Sequence, residues 1–188
     1  RSVPVLADWD GDGDLDLLVG TFPGTLLYWE RQGADFVSQQ NPFQGIDVGD
    51  RCSPCVVDWD VDGDKDLLLG AHDGVLHYWE QQGNGGLVER IGPSNPFNGI
   101  DVGRYSSPFV VDWDGDGDLD LVVGNFDGVL RFWEQSPGGS LLERVGAGAN
   151  PFHGIYAGDV SVPIIIDWDG DGDLDLLVGA DSGDVRYW

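Results

Sequence analysis

The stretch DWDGDGDLDLLVG, residues 8–20, decides the fold because it recurs three more times, with at most three residues changed, in this chain of 188 residues. The equivalent Asp-Trp-Asp motifs begin at Asp58, Asp112 and Asp167, at spacings of 50, 54 and 55 residues. A second Trp follows the first by 20 residues in every copy, so the repeat accounts for all 8 tryptophans. A period of this length is typical of repeat architectures, in which each repeat is one supersecondary unit.

A third landmark, Asn-Pro-Phe-x-Gly-Ile, fixes the boundaries of the modules. It begins at Asn41, Asn95 and Asn150, always 17 residues before the next Asp-Trp-Asp. The distance from the second Trp to this Asn varies between modules, which predicts an exposed hairpin tip in that segment. We therefore expect one β-propeller domain, residues 1–188, made of repeats 2–51, 52–105, 106–160 and a partial repeat 161–188.

Each complete module predicts four short strands. In the first module these are residues 3–9, residues 16–20, which are apolar after Asp16, residues 25–30, and a segment near 35–39. Asp-Gly between apolar runs favours a hairpin, so we expect a tight turn at Asp73-Gly74 and at the equivalent dipeptides. Four strands per repeat is the composition of a propeller blade. The predicted fold class is all-β, a β-propeller of about four four-stranded blades with the last one incomplete in this chain.

The acidity of the chain is concentrated in one loop of each module. Aspartates occupy positions 1, 3, 5, 7 and 9 of this acidic loop, and the four loops hold 20 of the 34 acidic residues. The predicted metal-binding residues are Asp8, Asp10, Asp12, Asp14 and Asp16; Asp58, Asp60, Asp62, Asp64 and Asp66; Asp112, Asp114, Asp116, Asp118 and Asp120; and Asp167, Asp169, Asp171, Asp173 and Asp175. Carboxylates this close repel one another unless a cation lies among them.

Calcium suits this donor set better than other biological metals. Ca²⁺ accepts six to eight oxygen ligands in flexible geometry, whereas Mg²⁺ needs a stricter octahedron and Zn²⁺ prefers His or Cys. Gly13, at the sixth loop position, permits the sharp turn that wraps an ion. The loop begins like an EF-hand, but the twelfth position, where an EF-hand has Glu, is Val19. We therefore expect a strand-loop-strand site with one Ca²⁺ per repeat, about four in all.

The loop motif, the Leu-Leu-Val-Gly that follows it and the four-strand repeat resemble the FG-GAP/VCBS repeat family, which also builds the propeller of integrin α-subunits. The resemblance implies that loop positions 1, 3, 5 and 9 supply side-chain oxygens and that position 7 supplies a backbone carbonyl. In the first module these ligands are Asp8, Asp10, Asp12 and Asp16, with the carbonyl of Asp14. The second module departs from the pattern at Val61 and Lys65, which are not ligand positions, so we expect weaker calcium binding there.

The overall charge excludes some partners. A net charge of −25 disfavours nucleic acid, whose phosphates require Lys and Arg, and disfavours an anionic membrane surface. No apolar run approaches the roughly 20 residues of a membrane helix, so we expect no membrane insertion. The chain begins at Arg1, and its last module stops before a fourth strand. We therefore expect it to be part of a longer chain or of an assembly.

Several weaker features have a structural and a functional interpretation. The tryptophans of the third strands are predicted to pack between blades, with a sugar-binding platform as the alternative, and the first tryptophans are predicted to pack beside the loops. Cys52 and Cys55 are predicted to be thiols, because a disulfide between residues i and i+3 of an extended strand is unfavourable. The three histidines lie at non-equivalent positions of the repeat and are predicted to be surface variation.

The function that these observations favour is a non-catalytic calcium-binding propeller that acts as a protein–protein interaction or scaffold module, in an adhesion protein or as a subunit of a larger assembly. Its expected location is extracellular or another calcium-rich, non-cytosolic compartment. The alternative is a calcium-dependent lectin that binds carbohydrate between blades. An enzyme is disfavoured, since the sequence shows neither a nucleophile–base constellation nor a phosphate-binding loop.

Overall fold

The computed structural model describes residues 2–188 and consists almost entirely of antiparallel strands. In chain order the strands are β1 Ser2–Ala7, β2 Asp16–Thr21, β3 Leu26–Gln32, β4 Asp35–Val37, β5 Ser53–Val57, β6 Asp66–Gly70, β7 Leu76–Gln81, β8 Leu87–Arg90, β9 Ser107–Val111, β10 Asp120–Gly124, β11 Leu130–Gln135, β12 Leu141–Arg144, β13 Val162–Ile166, β14 Asp175–Gly179 and β15 Val185–Tyr187. Helix within residues 2–188 is limited to one 3₁₀ turn at Gly92–Ser94, and no helix there is long and apolar enough to cross a membrane.

The strands form four sheets in which sequence neighbours pair. The sheets are β1-β2-β3-β4, β5-β6-β7-β8, β9-β10-β11-β12 and the three-stranded β13-β14-β15, which we call blades 1 to 4. All the pairs are antiparallel. The predicted fold class is confirmed: the protein is an all-β propeller of four blades, and the fourth blade has no fourth strand among the described residues.

The chain divides into two compact units, each with its own apolar core. Blades 1 and 2 form the first unit, while blades 3 and 4 form the second unit together with the turn residues Asp73–Val75. Within each unit one cluster of buried side chains joins the two blades. The single domain over residues 1–188 and the four repeat boundaries stay predictions.

Predicted strand ends differ from the observed ends by one or two residues. β1 ends at Ala7, two residues earlier than predicted, because the carboxylate of Asp8 already accepts hydrogen bonds from backbone amides of the loop. β3 begins at Leu26 because Thr25 pairs instead with Asp47 in an isolated bridge. The hairpin tips of variable length lie where predicted, in the exposed turns between the third and fourth strands of blades 1 to 3.

Side chains alternate between the two faces of each blade, and the two faces have different partners. In the first unit, Leu18 and Leu26 of blade 1 are buried in one cluster with Leu67 and Leu69 of blade 2. We call the face of a blade that carries the equivalents of Leu18 and Leu26 its trailing face. The opposite face, which carries the equivalents of Leu67 and Leu69, is its leading face. The core of the first unit is thus the trailing face of blade 1 packed on the leading face of blade 2.

The second unit repeats the same packing. Val122 and Leu130 on the trailing face of blade 3 are buried in one cluster with Ile165 and Val178 on the leading face of blade 4. Burying one such aliphatic side chain contributes about 1.5–3 kcal/mol. Packing between consecutive blades is therefore a main source of stability in both units.

In blades 1 to 3 the Phe of the Asn-Pro-Phe segment packs against the first Trp of the same blade. The side-chain amide of Asn95 donates to the carbonyl of Leu76 at 3.3 Å, and its Oδ1 accepts from the amide of Phe97 at 2.8 Å. These bonds hold the Phe97 ring against Trp59, with 4.6 Å between ring centroids. The same contact joins Trp9 to Phe43 and Trp113 to Phe152, at 4.7 Å in each case. The prediction that the first tryptophans are structural is confirmed for these three blades.

Glycine permits the closest approach between consecutive blades. A Cβ built on Gly20 would lie 2.2 Å from the carbonyl oxygen of Cys52, and one built on Gly124 would lie 2.2 Å from that of Ser161. Gly179 occupies the equivalent position in blade 4, where no atom lies within 4 Å of such a Cβ. None of these three glycines has a positive φ, so only the space around them decides whether alanine fits.

We therefore predict opposite outcomes for two matched substitutions. Gly124→Ala lowers the free energy of unfolding by about 1–3 kcal/mol, because its methyl group meets the backbone of blade 4. Gly179→Ala changes it by less than about 0.5 kcal/mol, because its methyl group enters open space. Urea unfolding of dilute protein, followed by tryptophan fluorescence, compares the two. Equal costs would contradict the role of Gly124 in the close approach.

Candidate metal centre

The 20 predicted aspartates all lie where the first strand of a blade passes to the second. In blade 1 the acidic loop occupies residues 8–16, and its ninth residue, Asp16, is also the first residue of β2. The ninth residues of the other loops, Asp66, Asp120 and Asp175, likewise begin β6, β10 and β14. Each loop is thus fixed at its end to the central strand of its blade.

Carboxylates within the loop fold the loop itself. The two oxygens of Asp8 accept from the amides of Gly11 at 2.9 Å and Gly13 at 3.1 Å. Asp10 accepts from the amide of Asp12 at 3.2 Å, and Asp12 accepts from that of Asp14 at 3.0 Å. Loops 3 and 4 repeat all four bonds. Backbone amides therefore turn these side chains toward the inside of the loop.

The ninth aspartate connects the loop to the rest of its blade. Asp66 is fully buried and accepts three hydrogen bonds: from the amide of Trp59 at 3.0 Å, the hydroxyl of Tyr78 at 2.7 Å and the amide of Gln81 at 3.0 Å. Burial raises the pKa of Asp66, and these three donors oppose the rise. A buried carboxylate that is fully hydrogen-bonded is a rigid anchor for the loop.

This anchor differs between blades in its hydroxyl donor. Tyr28 and Tyr187 donate to the ninth aspartates of blades 1 and 4, at 2.9 and 2.8 Å. Blade 3 has Phe132 at the equivalent position, so Asp120 is held by two backbone amides, those of Trp113 and Gln135. This tyrosine is a part of the site that was not predicted from the sequence, although a Tyr or Phe recurs 12 residues after every ninth aspartate.

In every blade three carboxylates converge closely enough to hold a metal ion. In loops 1 and 2 they come from positions 1, 3 and 5, and in loops 3 and 4 they come from positions 1, 3 and 9, with candidate ligand atoms within 4.8 Å of one another. The seventh aspartate belongs to none of these groups. Positions 1, 3, 5 and 9 thus each contribute an oxygen to at least one loop, while the complete ligand sets stay a prediction.

Electrostatics within the clusters favour a bound cation. Burial raises the pKa of Asp60, and the neighbouring carboxylates of Asp66 and Asp62 raise it further. The Oδ1 atom of Asp58, at the first position of loop 2, is buried without a hydrogen-bond partner. A buried carboxylate oxygen in that situation is costly unless it is ligated. The donors are all hard oxygens, so the residues present fit an oxygen-binding cation.

The loop of blade 2 is locally strained at its fourth position. Val61 has φ 60°, in the left-handed region where the other three loops have Gly11, Gly115 and Gly170 at φ 75–78°. In those loops the amide of the glycine donates to the first aspartate at 2.7–2.9 Å. The corresponding Oδ1 of Asp58 has no donor. A β-branched residue with positive φ is unfavourable, so Val61 destabilises this loop.

Two other groups of residues noted in the sequence have structural roles. Trp79 is buried in the core cluster of the first unit, which confirms inter-blade packing for this third-strand tryptophan. Its neighbour His77 stacks on it at 6.1 Å between centroids. Cys52 and Cys55 are buried and form no disulfide, as predicted.

Reciprocal substitutions at the fourth loop position test the strain at Val61. Val61→Gly raises the free energy of unfolding by about 1 kcal/mol, because it removes an unfavourable φ. Gly115→Val lowers it by a similar amount, and its side chain has open space around it, so the backbone alone carries the cost. Unfolding in excess chelator isolates this effect from metal binding. A lower free energy of unfolding for Val61→Gly would contradict the assignment of backbone strain to Val61.

Comparison with known proteins agrees with this architecture. The FG-GAP-like repeat profile matches the chain three times, at residues 8–69, 58–123 and 112–178. Comparison with curated proteins gave no match. Among solved structures, the chain is similar to a lectin from Agrocybe aegerita that recognises non-reducing terminal N-acetylglucosamine, with a TM-score of 0.52 and 18% identity. That likeness covers 97% of this chain and 48% of the lectin chain, so the protein spans about half the lectin's length.

At 18% identity the likeness to the lectin shows the fold alone. The repeat profile is more specific, because its overlapping matches begin and end within successive acidic loops or the strands that follow them. Together the matches run from position 8 to 178 and include all four loops. The chain therefore belongs to the family of FG-GAP-like repeat proteins.

Proposed function

We propose that each of the four acidic loops binds one Ca²⁺ and that the calcium-loaded propeller is a non-catalytic binding module for a protein partner. The observation that carries the proposal is the convergence of three carboxylates in every loop, within 4.8 Å. An all-oxygen donor set with several carboxylates matches the preference of Ca²⁺. Membership of the FG-GAP-like repeat family supports the same assignment.

The main role of the metal would be structural. Extracellular calcium modules bind with Kd values of roughly 10⁻⁴–10⁻³ M. With a Kd of about 10⁻⁴ M and about 2 mM calcium, each site would stabilise the fold by about 1.8 kcal/mol. Four such sites would contribute about as much as the whole stability of an ordinary domain. This dependence favours an extracellular location or another calcium-rich, non-cytosolic compartment.

A repeat scaffold whose clustered carboxylates would be occupied by metal suits recognition better than catalysis. The convergent carboxylate clusters found in residues 2–188 all lie in the acidic loops, where metal binding would occupy them. The exposed surface carries large apolar side chains on blade 4, including Ile164, Ile166 and Trp168. Such patches mark contact surfaces for proteins. We therefore propose that the chain acts within an adhesion protein or a larger assembly.

Calcium binding is tested by calorimetric titration with a matched pair of variants in loop 3. The wild-type chain is expected to bind close to four Ca²⁺ ions, and its unfolding temperature is expected to fall by about 15–30 °C in excess chelator. Asp114→Ala removes a converging carboxylate, so the number of sites drops to about three.

Asp118→Ala is the control, since it removes the same charge from the seventh position, which supplies only a backbone carbonyl in the predicted site. It should keep about four sites. An absence of binding heat in the wild-type chain, together with an unchanged unfolding temperature, would rule out the calcium assignment.

Carbohydrate binding is the second candidate function. In the first unit, a cleft of about 570 Å³ is lined by Gln39, Gln40 and Pro42, by the buried residues Trp9 and Tyr28, and by acidic residues that include Asp8, Asp10 and Asp64. Side-chain amides and carboxylates provide donors and acceptors for the hydroxyl groups of a sugar. The similar lectin recognises terminal N-acetylglucosamine, which supports testing that sugar first.

A glycan array, followed by titration of N-acetylglucosamine-terminated oligosaccharide, separates the two candidates. A lectin would bind saturably, and the double variant Gln39→Ala/Gln40→Ala would weaken binding at least about tenfold, a loss of about 1.4 kcal/mol. Gln44→Ala is the control, because Gln44 is equally exposed but does not line the cleft. No saturable binding to any glycan would eliminate the lectin and leave the protein-binding module.

A further inference from the structure

A glutamate near the end of the third strand recurs in blades 1 to 3, and in two of them it binds an arginine of the fourth strand. Glu80 of blade 2 accepts two hydrogen bonds from the guanidinium group of Arg90, at 2.6 and 2.8 Å. Glu134 of blade 3 accepts the same two bonds from Arg144, at 2.8 and 2.9 Å. Two parallel bonds of this kind are the strongest form of carboxylate–guanidinium pairing. The glutamate is therefore placed to bind a guanidinium group.

Blade 1 keeps the glutamate but lacks the arginine. In blade 2 the arginine stands two residues after Val88, which pairs with the glutamate in the register of the sheet. In blade 1 the glutamate is Glu30 and pairs with Val37, so the equivalent residue is Gln39. Glu30 accepts a hydrogen bond from the side-chain amide of Gln32 at 3.0 Å, and within residues 2–188 no cation pairs with it.

Glu30 and Gln39 both line the cleft of about 570 Å³ that runs between the acidic loops of blades 1 and 2. Arg31, the residue after Glu30, is exposed and lies outside this lining, where its side chain donates to the carbonyl of Gly33 at 3.0 Å. The other charged residues of the lining are Asp8, Asp10, Asp64 and Lys65. Carboxylates thus outnumber cations four to one around the cleft.

A calcium ion in loop 1 would not cancel this charge. The loop contains five aspartates, so a bound Ca²⁺ would leave about three negative charges on it. Glu30 lies outside the loop and would keep its own charge. The cleft therefore attracts a cationic group whether or not the loop holds calcium.

We propose that the cleft between the acidic loops of blades 1 and 2 binds an arginine side chain of a protein partner, whose guanidinium group pairs with Glu30 as Arg90 pairs with Glu80. The inference rests on the proposed role as a protein-binding module and names the chemistry of one contact with the partner. The amide oxygens of Gln39 and Gln40 can accept from the remaining N–H groups of the guanidinium. Lysine suits the site less well, because its ammonium group is a point charge without the fork of parallel donors.

The probe that tests the proposal is a short peptide with a single arginine, acetyl-Gly-Ser-Arg-Ser-Gly-amide. It is titrated into the isotope-labelled chain at about 0.15 M salt, where long-range attraction is largely screened, and amide signals are followed by NMR. Saturable shifts are expected for residues around the cleft. The same peptide with citrulline, a neutral isostere, should bind at least about tenfold more weakly. Equal binding of the arginine peptide and its lysine analogue would indicate unspecific attraction to an acidic chain and would overturn the proposal.

Three variants locate the contact. Glu30→Gln removes the charge and should weaken peptide binding at least about tenfold. Gln39→Arg supplies the arginine that blades 2 and 3 already have, so it should fill the site and abolish binding. Gln44→Arg is the matched control, because it adds the same charge at an exposed position outside the cleft, and it should bind like the wild type. Circular dichroism checks that each variant is folded. Equal binding by Gln39→Arg and Gln44→Arg would contradict the proposed site.

A gain of binding provides a second test in blade 3. Arg144→Gln frees Glu134, which lines a cleft of about 450 Å³ together with Trp113 and Asp114. The variant should bind two arginine peptides where the wild type binds one. Arg104→Gln is the control, since Arg104 lies over the ring of Phe126 and does not line this cleft, and it should keep one site. A single site in Arg144→Gln would overturn the equivalence between the blades from which the proposal is argued.

Peptide and calcium titrations of the same chain separate this contact from the proposed function. A chain that binds calcium but not the arginine peptide would lack the arginine site and keep the calcium assignment. A chain that binds the peptide but no calcium would lose the calcium assignment and keep the arginine site. If an N-acetylglucosamine-terminated oligosaccharide shifted the signals around the cleft and the arginine peptide did not, the cleft would bind sugar and the arginine site would be wrong.

Discussion

The aspartate at the start of each central strand, which is buried in blades 1 to 3 and half-buried in blade 4, is the constraint on which the rest of a blade depends. In blade 2, Asp66 lies in the apolar interior and is tolerated there because Trp59, Tyr78 and Gln81 all donate to it. Trp59 belongs to the loop, whereas Tyr78 and Gln81 belong to β7. Asp66 itself begins β6, so its carboxylate fixes the loop to both β6 and β7. Removing a donor would leave part of this charge uncompensated, and in every blade at least two groups donate to the equivalent aspartate.

The same aspartate connects the acidic loop of a blade to its apolar sheet. On one side of it lies a loop in which carboxylates repel one another and are held together by backbone amides and, in our proposal, by calcium. On the other side begins a strand whose next three residues in blade 2, Leu67, Leu68 and Leu69, are completely buried. Ordering of the loop and packing of the core are consequently coupled. A cation bound at the loop would stabilise the sheet without touching it.

Consecutive blades meet through backbone as well as side chains, and this makes their contact specific. Gly20 and Gly124 allow a strand of one blade to approach the carbonyl oxygen of the next, so the fit depends on the absence of a Cβ at one position. Aliphatic side chains around that point supply most of the buried area. The outermost faces of blades 1 and 4 retain the same arrangement of side chains but are exposed.

The sequence by itself determined the repeat, the class of fold, the order of the strands and the carboxylates of the candidate site, because each of these is encoded by local patterns. Alternation of Asp with Gly marks the loop, and an apolar run marks the central strand. The role of Tyr78 was not apparent from the sequence, because its hydroxyl donates to Asp66 on the neighbouring strand, 12 residues earlier in the chain. The strain at Val61 likewise depends on a backbone angle that the loop imposes. Only the tertiary structure decided which face of each blade is covered, because equivalent residues such as Leu130 and Val185 have the same local sequence pattern and differ in what packs against them.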